Sequence, residues 1–131
     1  MKQYILYILI CLVITSVACN KKVYESNGES IYRTGKNLQG ERMLDRKASR
    51  IKIINSCRAC HGKNGDAMKQ VSIKYSYLSN RNNFDTPYND SLFFRFLDHD
   101  LKSDGSKANI GVLFKMSDKD KHDLWEYLKT L

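Results

Sequence analysis

Two cysteines and one histidine are the residues of this chain best suited to chemistry. Cys57 and Cys60 lie three positions apart, and His61 and Gly62 follow directly in the stretch NSCRACHGKNGD, residues 55–66. Two thiols and an imidazole at this spacing can bind zinc, form a redox-active dithiol, form a structural disulfide or attach a haem. The rest of the sequence distinguishes among these four chemistries.

Three of the four chemistries fit the motif poorly. A structural zinc site needs four ligands, and the sequence contains no second Cys or His pair to complete one. A thioredoxin-like dithiol begins a helix after a strand in a βαβ unit, and the flanking residues do not predict that arrangement. A structural disulfide suits an exported protein but leaves His61 without a role.

Attachment of a c-type haem uses every residue of the motif. Residues three apart lie on one side of a helical turn, so the sulfurs of Cys57 and Cys60 can both bond to one edge of a haem. His61 can then bind the iron, and Gly62 lets the chain turn away close to the ring. The sequence therefore predicts one covalent haem c, attached by Cys57 and Cys60, with His61 as the proximal iron ligand.

The N-terminus has the features of an export signal. Residues 4–18 form an apolar run of 15 residues, which is shorter than the ~20 residues needed to span a bilayer. We predict a signal peptide over residues 1–18 and, as in bacterial lipoproteins, a lipid on Cys19, with residues 19–27 as a tether. The alternatives are an ordinary cleaved signal and an uncleaved anchor. All three place the domain outside the cytoplasm, and the predicted one places it on the periplasmic side of a bacterial membrane.

Length and charge restrict the remaining possibilities. The chain has 131 residues, which is enough for one domain, predicted over residues 28–131. Its net charge is +8. Basic charge can indicate nucleic-acid binding, but no helix-turn-helix, zinc-finger or RNA-binding signature accompanies it. We therefore expect no nucleic-acid partner.

Three stretches are typical of helices, so we predict an all-α fold of three or four short helices with long loops. The first spans residues 28–34 and is stopped by Gly35. The second begins at Asn89 or Asp90 and continues through SLFFRFLDHDLK, with Leu101 on its apolar face. The third follows a capping box at Ser117. Residues 36–50 and 68–87 are expected to be mainly irregular. The apolar residues predicted to face the core are Ile31, Tyr32, Leu92, Phe93, Phe96, Leu97, Leu101, Leu124, Trp125, Leu128 and Leu131.

These features together resemble the single-haem c-type cytochromes of class I. The matching pieces are GESIYRTG as the first helix, CRACHGKNGD as the haem site and SDKDKHDLWEYLKTL as the last helix, so the resemblance covers residues 28–131. It implies a cytochrome c-like fold in which the first and last helices cross beside the haem. The crossing is expected to involve Ile31, Tyr32, Trp125 and Leu128.

The resemblance also implies a methionine as the distal iron ligand, from a loop shortly before the last helix. Met116 lies in this region, although Ser117 follows it where the family usually has proline. His99, Met68 and an open coordination site remain as alternatives.

The resemblance implies an electron-transfer protein rather than an enzyme, tethered to a membrane and serving a respiratory or dehydrogenase partner. Since the chain is basic, an acidic docking surface on that partner is expected. The alternative function is a haem-based sensor or small-ligand binder, which requires a vacant or displaceable sixth site on the iron.

Overall fold

The computed structural model describes residues 23–68 and 71–131. The predicted signal peptide and the predicted lipid site Cys19 lie outside the described residues. Among the helices within these two ranges, none is both long and apolar enough to cross a membrane.

The described part of the chain is helical, which confirms the all-α class. It contains no β-strand and only isolated antiparallel bridges, such as the one between Leu44 and Phe114. Five helices lie in this part of the chain, where three or four were predicted. Three correspond to the three predicted stretches, one short helix is the turn expected at the motif, and the other short helix is additional. The helices are α1 (Asn27–Thr34), α2 (Cys57–His61), α3 (Tyr75–Leu78), α4 (Asp90–His99) and α5 (Asp118–Leu128).

Helix α1 begins and ends close to where the sequence predicts. The hydroxyl of Ser26 accepts a hydrogen bond from the N–H of Glu29 at its start. At its end Gly35 adopts the left-handed conformation, with φ of 69°, and donates its N–H to the carbonyl of Ile31. Glycine is favoured there because this conformation brings a Cβ atom close to the backbone.

Helix α5 crosses α1 at very close range. Gly28 makes this possible, because a Cβ atom on it would lie 2.0 Å from the carbonyl oxygen of Asp123 and 2.7 Å from Cβ of Tyr127. Ser117 caps α5 by accepting the N–H of Asp120, as predicted. The side chains predicted for the crossing belong to one buried cluster, which confirms the packing of the two helices; they are Ile31, Tyr32, Trp125 and Leu128.

Helix α4 packs against α5 through Trp125, which is fully buried. The ring of Phe93 stacks on the indole with centroids 4.7 Å apart, and the indole N–H donates a 2.7 Å hydrogen bond to Asp90. Nearby, the buried ammonium of Lys121 on α5 lies 2.7 Å from a carboxylate oxygen of Asp98 on α4. Stacking, hydrogen bonding and an ion pair therefore fix α4 on α5.

The end of α4 differs from the prediction. Asn89 accepts the N–H of Leu92 at the predicted start, but the helix stops at His99. Asp100 is left-handed, with φ of 55°, and closes the helix by donating its N–H to Phe96. The expectation that Leu101 continues the apolar face of this helix was wrong, because Leu101 lies beyond the reversal and pairs with Lys107 instead.

Helix α3 lies in a region that the sequence predicts as loop. It is a single turn with no side-chain cap, too short to give a visible hydrophobic period. Tertiary contacts support it, because Leu78 is buried and the rings of Tyr75 and Trp125 pack in a T-shape with centroids 5.2 Å apart.

The irregular chain between α1 and α2 is fixed against the segment that precedes α5. The N–H of Lys115 donates to the carbonyl of Met43, and the N–H of Asp45 donates to the carbonyl of Leu113. Further along, the N–H of Ile51 donates to the carbonyl of Gly111 at 3.0 Å. Residues 43–51 and 111–115 therefore run side by side without forming a regular strand pair.

Candidate functional site

The Cys-Cys-His motif forms a helical turn of its own, α2. Cys57 is its first residue, and Cys60 and His61 are its last two. Gly62 ends the turn with φ of 72°, and a Cβ atom there would lie 2.8 Å from Cβ of Ala67. Since a larger residue would be both strained and crowded, glycine is required for the chain to leave the motif along this path.

Both sulfur atoms of α2 are free thiols, and both cysteines are half-buried. Burial, with a smaller contribution from neighbouring Cys60, raises the pKa of the Cys57 thiol to about 12. A thiol of this kind stays protonated at neutral pH, whereas redox-active dithiols depend on a stabilised thiolate. The environment of Cys57 therefore does not favour a thioredoxin-like activity.

The imidazole of His61 is held in one tautomer. Its Nδ1 lies 3.1 Å from the carbonyl oxygen of Val71. A carbonyl can only accept, so Nδ1 carries the proton and Nε2 keeps a free lone pair. Burial lowers the pKa of His61, against a smaller opposing effect of this hydrogen bond. The result is a neutral, oriented imidazole, the form that binds a metal ion.

Helix α1 holds the motif from the other side. The hydroxyl of Tyr32 donates a 2.7 Å hydrogen bond to the carbonyl of Gly62. Burial is the main cause that raises the pKa of Tyr32 to about 12, so this donor keeps its proton. Gly35 meets the chain just before the motif, since a Cβ atom on it would lie 1.8 Å from the carbonyl oxygen of Asn55. The helix crossing and α2 are therefore one connected unit.

Exposed apolar side chains surround α2 in the sequence. Ile53 is 87% exposed ahead of it, and Met68 and Val71 are 43% and 51% exposed after it. Ile51 and Leu113, on the two paired segments, are exposed as well. These side chains leave apolar surface in water close to the motif in the sequence.

The candidates for a distal ligand lie in three different environments. Met116 is half-buried and packs against the same core cluster as Cys57. Met68 is largely exposed, and His99 is exposed at the last position of α4. Of the three, Met116 alone is among the side chains that pack against the core cluster.

No family model, curated protein or solved structure matches this chain.

The donors of the motif do not form a metal centre by themselves. Within residues 23–68 and 71–131, no three side chains of His, Cys, Asp or Glu are grouped to hold an ion. The arrangement instead offers one oriented Nε2 and two thiols one helical turn apart. This donor set fits a group that brings its own metal and has carbon atoms to which sulfur can bond, such as a haem.

Two hydrogen-bond partners of the site were not predicted from the sequence. Val71 contributes only its backbone carbonyl, which every residue has. Tyr32 was expected in the helix crossing, but its hydrogen bond to Gly62 joins residues 30 positions apart. An unpaired tyrosine hydroxyl on a predicted buried face, which needs some acceptor, is the one signal that could have suggested it.

Proposed function

We propose that this protein is an exported electron-transfer cytochrome of the class I c type with one covalent haem c. The observation that carries the proposal is the hydrogen bond from Nδ1 of His61 to the carbonyl of Val71, one turn from two free thiols. It leaves Nε2 available and fixes the ring plane, as a proximal ligand requires. The crossing of α1 and α5 supports the same proposal, because the family has its first and last helices in contact.

Three residues of α2 have defined tasks in this proposal. Cys57 and Cys60 would hold the haem by adding their thiols across its two vinyl groups, with sulfur bonding to one carbon of each vinyl and the proton going to the other. His61 would give its Nε2 lone pair to the iron, and Val71 keeps the imidazole from rotating. Haem iron supplies a centre that changes between ferrous and ferric states. Tyr32 and Gly62 hold the turn, so its donors keep their positions in both states.

Met116 is the proposed distal ligand. It lies at the end of the segment that residues 43–51 hold by backbone hydrogen bonds, and Ser117 begins α5 directly after it. Anchoring on both sides favours a ligand that keeps its place between oxidation states. With both His61 and Met116 bound to it, the iron would offer no position for substrate, so the proposed role is that of an electron carrier and not of an enzyme.

The proposed location is the periplasmic side of a bacterial membrane, with a lipid on Cys19 as the anchor. Cys19→Ser should then move the protein from the membrane fraction to the soluble periplasmic fraction. If the variant stays membrane-bound, residues 1–18 act as an uncleaved anchor instead.

Covalent haem is the decisive test. The purified protein, denatured and run on a gel, should stain for haem, and Cys57→Ala or Cys60→Ala should weaken or abolish the stain. Arg58→Ala, in the same turn, is the matched control and should retain it. A colourless wild-type protein, with thiols that react as ordinary cysteines, would sink the proposal.

A further inference from the structure

Lys36 and Arg42 face each other across a tight turn that follows α1, where they form an antiparallel bridge. The backbone hydrogen bonds on either side of this bridge, such as the one from Met43 to Gly35 at 2.9 Å, are made by the neighbouring residues. Lys36 and Arg42 are therefore a non-hydrogen-bonded pair, in which opposite Cα atoms are only about 4.5 Å apart and side chains are closest. Like charges placed directly opposite each other destabilise such a pair.

No carboxylate among the described residues compensates these two charges by an ion pair. Glu41 and Asp45 are the only acidic residues within 36–63. The carboxylate of Glu41 accepts the side-chain amide of Asn37 at 2.8 Å, and that of Asp45 accepts two backbone N–H groups at 3.0 Å. All fourteen acidic residues of the chain are described, and every ion pair among the described residues lies outside 36–63.

A third cation shares one shallow depression with this pair. Lys36, Arg42 and Arg46 line the depression together with Asn55. The guanidinium of Arg46 donates a hydrogen bond to the side-chain carbonyl of Asn55, which orients the guanidinium and leaves the NH₂ group of Asn55 as a donor. Gly35 also lines the depression, and a Cβ atom on it would lie 1.8 Å from the backbone carbonyl oxygen of Asn55. Three cations and one neutral donor therefore lie on a concave surface whose two sides are in direct contact.

We propose that this depression binds a small dianionic oxyanion of the phosphate class, either inorganic phosphate or a phosphate monoester. An arginine guanidinium can donate two parallel hydrogen bonds to phosphate oxygens, and a lysine ammonium adds a compact positive charge. A bound dianion would replace the repulsion between Lys36 and Arg42 by attraction to a shared ligand. The inference goes beyond the proposed function, because it requires neither a haem nor a redox partner. Asn55 precedes Cys57 by two residues, so the ligand would also brace the chain that enters α2.

The first test is calorimetric titration of the purified full-length protein with sodium phosphate, at constant ionic strength and about pH 8, above the second pKa of phosphate groups. We expect saturable binding. Lys36→Gln/Arg42→Gln should weaken it about ten-fold or more, because a hydrogen bond to a charged group contributes at least that factor. Arg81→Gln/Lys102→Gln removes the same charge at two exposed positions outside the depression and is the matched control. Its affinity should stay within about two-fold of the wild type, since distant exposed charges are screened.

Stability and spectroscopy give two further readouts. In phosphate-free buffer Arg42→Gln should melt at or above the wild-type temperature, because it removes a like-charge repulsion. Phosphate should raise the melting temperature of the wild type and not that of the variant. In NMR spectra of the wild type, phosphate should shift the side-chain N–H signals of Asn55 and Arg46. The guanidinium signal of Arg33, which is paired with Glu29, should not move.

Three results would overturn the inference. Equal phosphate binding by the two double variants would show a general effect of charge and not a site. A lower melting temperature of Arg42→Gln in phosphate-free buffer, with no phosphate binding by the wild type, would give Arg42 a purely structural role. Binding to phosphatidylglycerol vesicles that Lys36→Gln/Arg42→Gln abolishes, with no binding of free phosphate, would assign the depression to a lipid headgroup. Covalent haem is measured separately on a gel, so its absence would remove the proposed function without affecting this test.

Discussion

The hydroxyl oxygen of Ser49 accepts a 2.9 Å hydrogen bond from the N–H of Leu113, and the hydroxyl donates a 2.6 Å hydrogen bond to the carbonyl of Asp45. Ser49 is 3% exposed, so water cannot replace either partner. This side chain therefore joins the chain before α2 to the segment that leads to Met116. It links the two parts of the protein that would have to face opposite sides of a haem.

Replacing Ser49 should loosen that link. Ser49→Ala leaves the N–H of Leu113 without a partner, which should lower the free energy of unfolding by about 1–3 kcal/mol. Urea unfolding of the haem-loaded protein measures this, and amide exchange at Leu113 should become faster. Ser91→Ala, at an exposed position on α4, is the control and should change neither quantity.

Met116→Ala should lower the reduction potential and let carbon monoxide bind the ferrous protein. The reason is that methionine sulfur favours ferrous iron, and in the proposed function Met116 would be the distal ligand whose loss opens a site for carbon monoxide. Voltammetry and visible spectra with and without carbon monoxide measure both effects. Met68→Ala is the matched control, since Met68 is 43% exposed. If Met116→Ala behaves like the wild type, the distal ligand is another residue or none, and the sensor function gains support.

Gly28→Ala should disrupt the crossing of α1 and α5. The added methyl group would lie 2.0 Å from the carbonyl oxygen of Asp123, so the helices must separate, at a cost of about 3 kcal/mol. Gly40→Ala is the comparison: it meets no atom within 4 Å but has φ of 86°, which costs about 1 kcal/mol. Equal losses in thermal unfolding would contradict the close approach at Gly28.

The carboxylate of Asp120 should make stability depend on pH. Burial raises its pKa, but hydrogen bonds from Ser117 and Asn27 outweigh burial and lower it overall. Because the unfolded chain takes up the proton first as pH falls, this stabilisation is complete above about pH 4 and is lost as pH falls through the folded pKa.

Asp120→Asn measures that contribution directly. The wild type should exceed the variant in free energy of unfolding by about 1 kcal/mol at neutral pH. The difference should shrink as pH falls below about 4 and through the lowered pKa of Asp120, because both side chains are then uncharged. Asp85→Asn, at an exposed position, is the matched control. A difference that is constant from neutral to acid pH would contradict the assigned hydrogen bonds.

The sequence by itself determined the features that depend on neighbouring residues. Ser117 and Asn89 were identifiable as caps, and Gly35 as a stop, because capping joins groups within about one helical turn. The motif of Cys57, Cys60 and His61 was identifiable for the same reason, since the spacing alone places its side chains on one turn. The buried apolar stripes of α1 and α5 also followed from a local period.

Only the tertiary structure decided which distant groups meet. Tyr32 donates to Gly62, and His61 donates to Val71. Residues 43–51 run beside residues 111–115. Each of these contacts joins groups that are distant in the chain. Most of these partners are backbone carbonyls and N–H groups, which are the same in every residue and so leave no trace in the sequence.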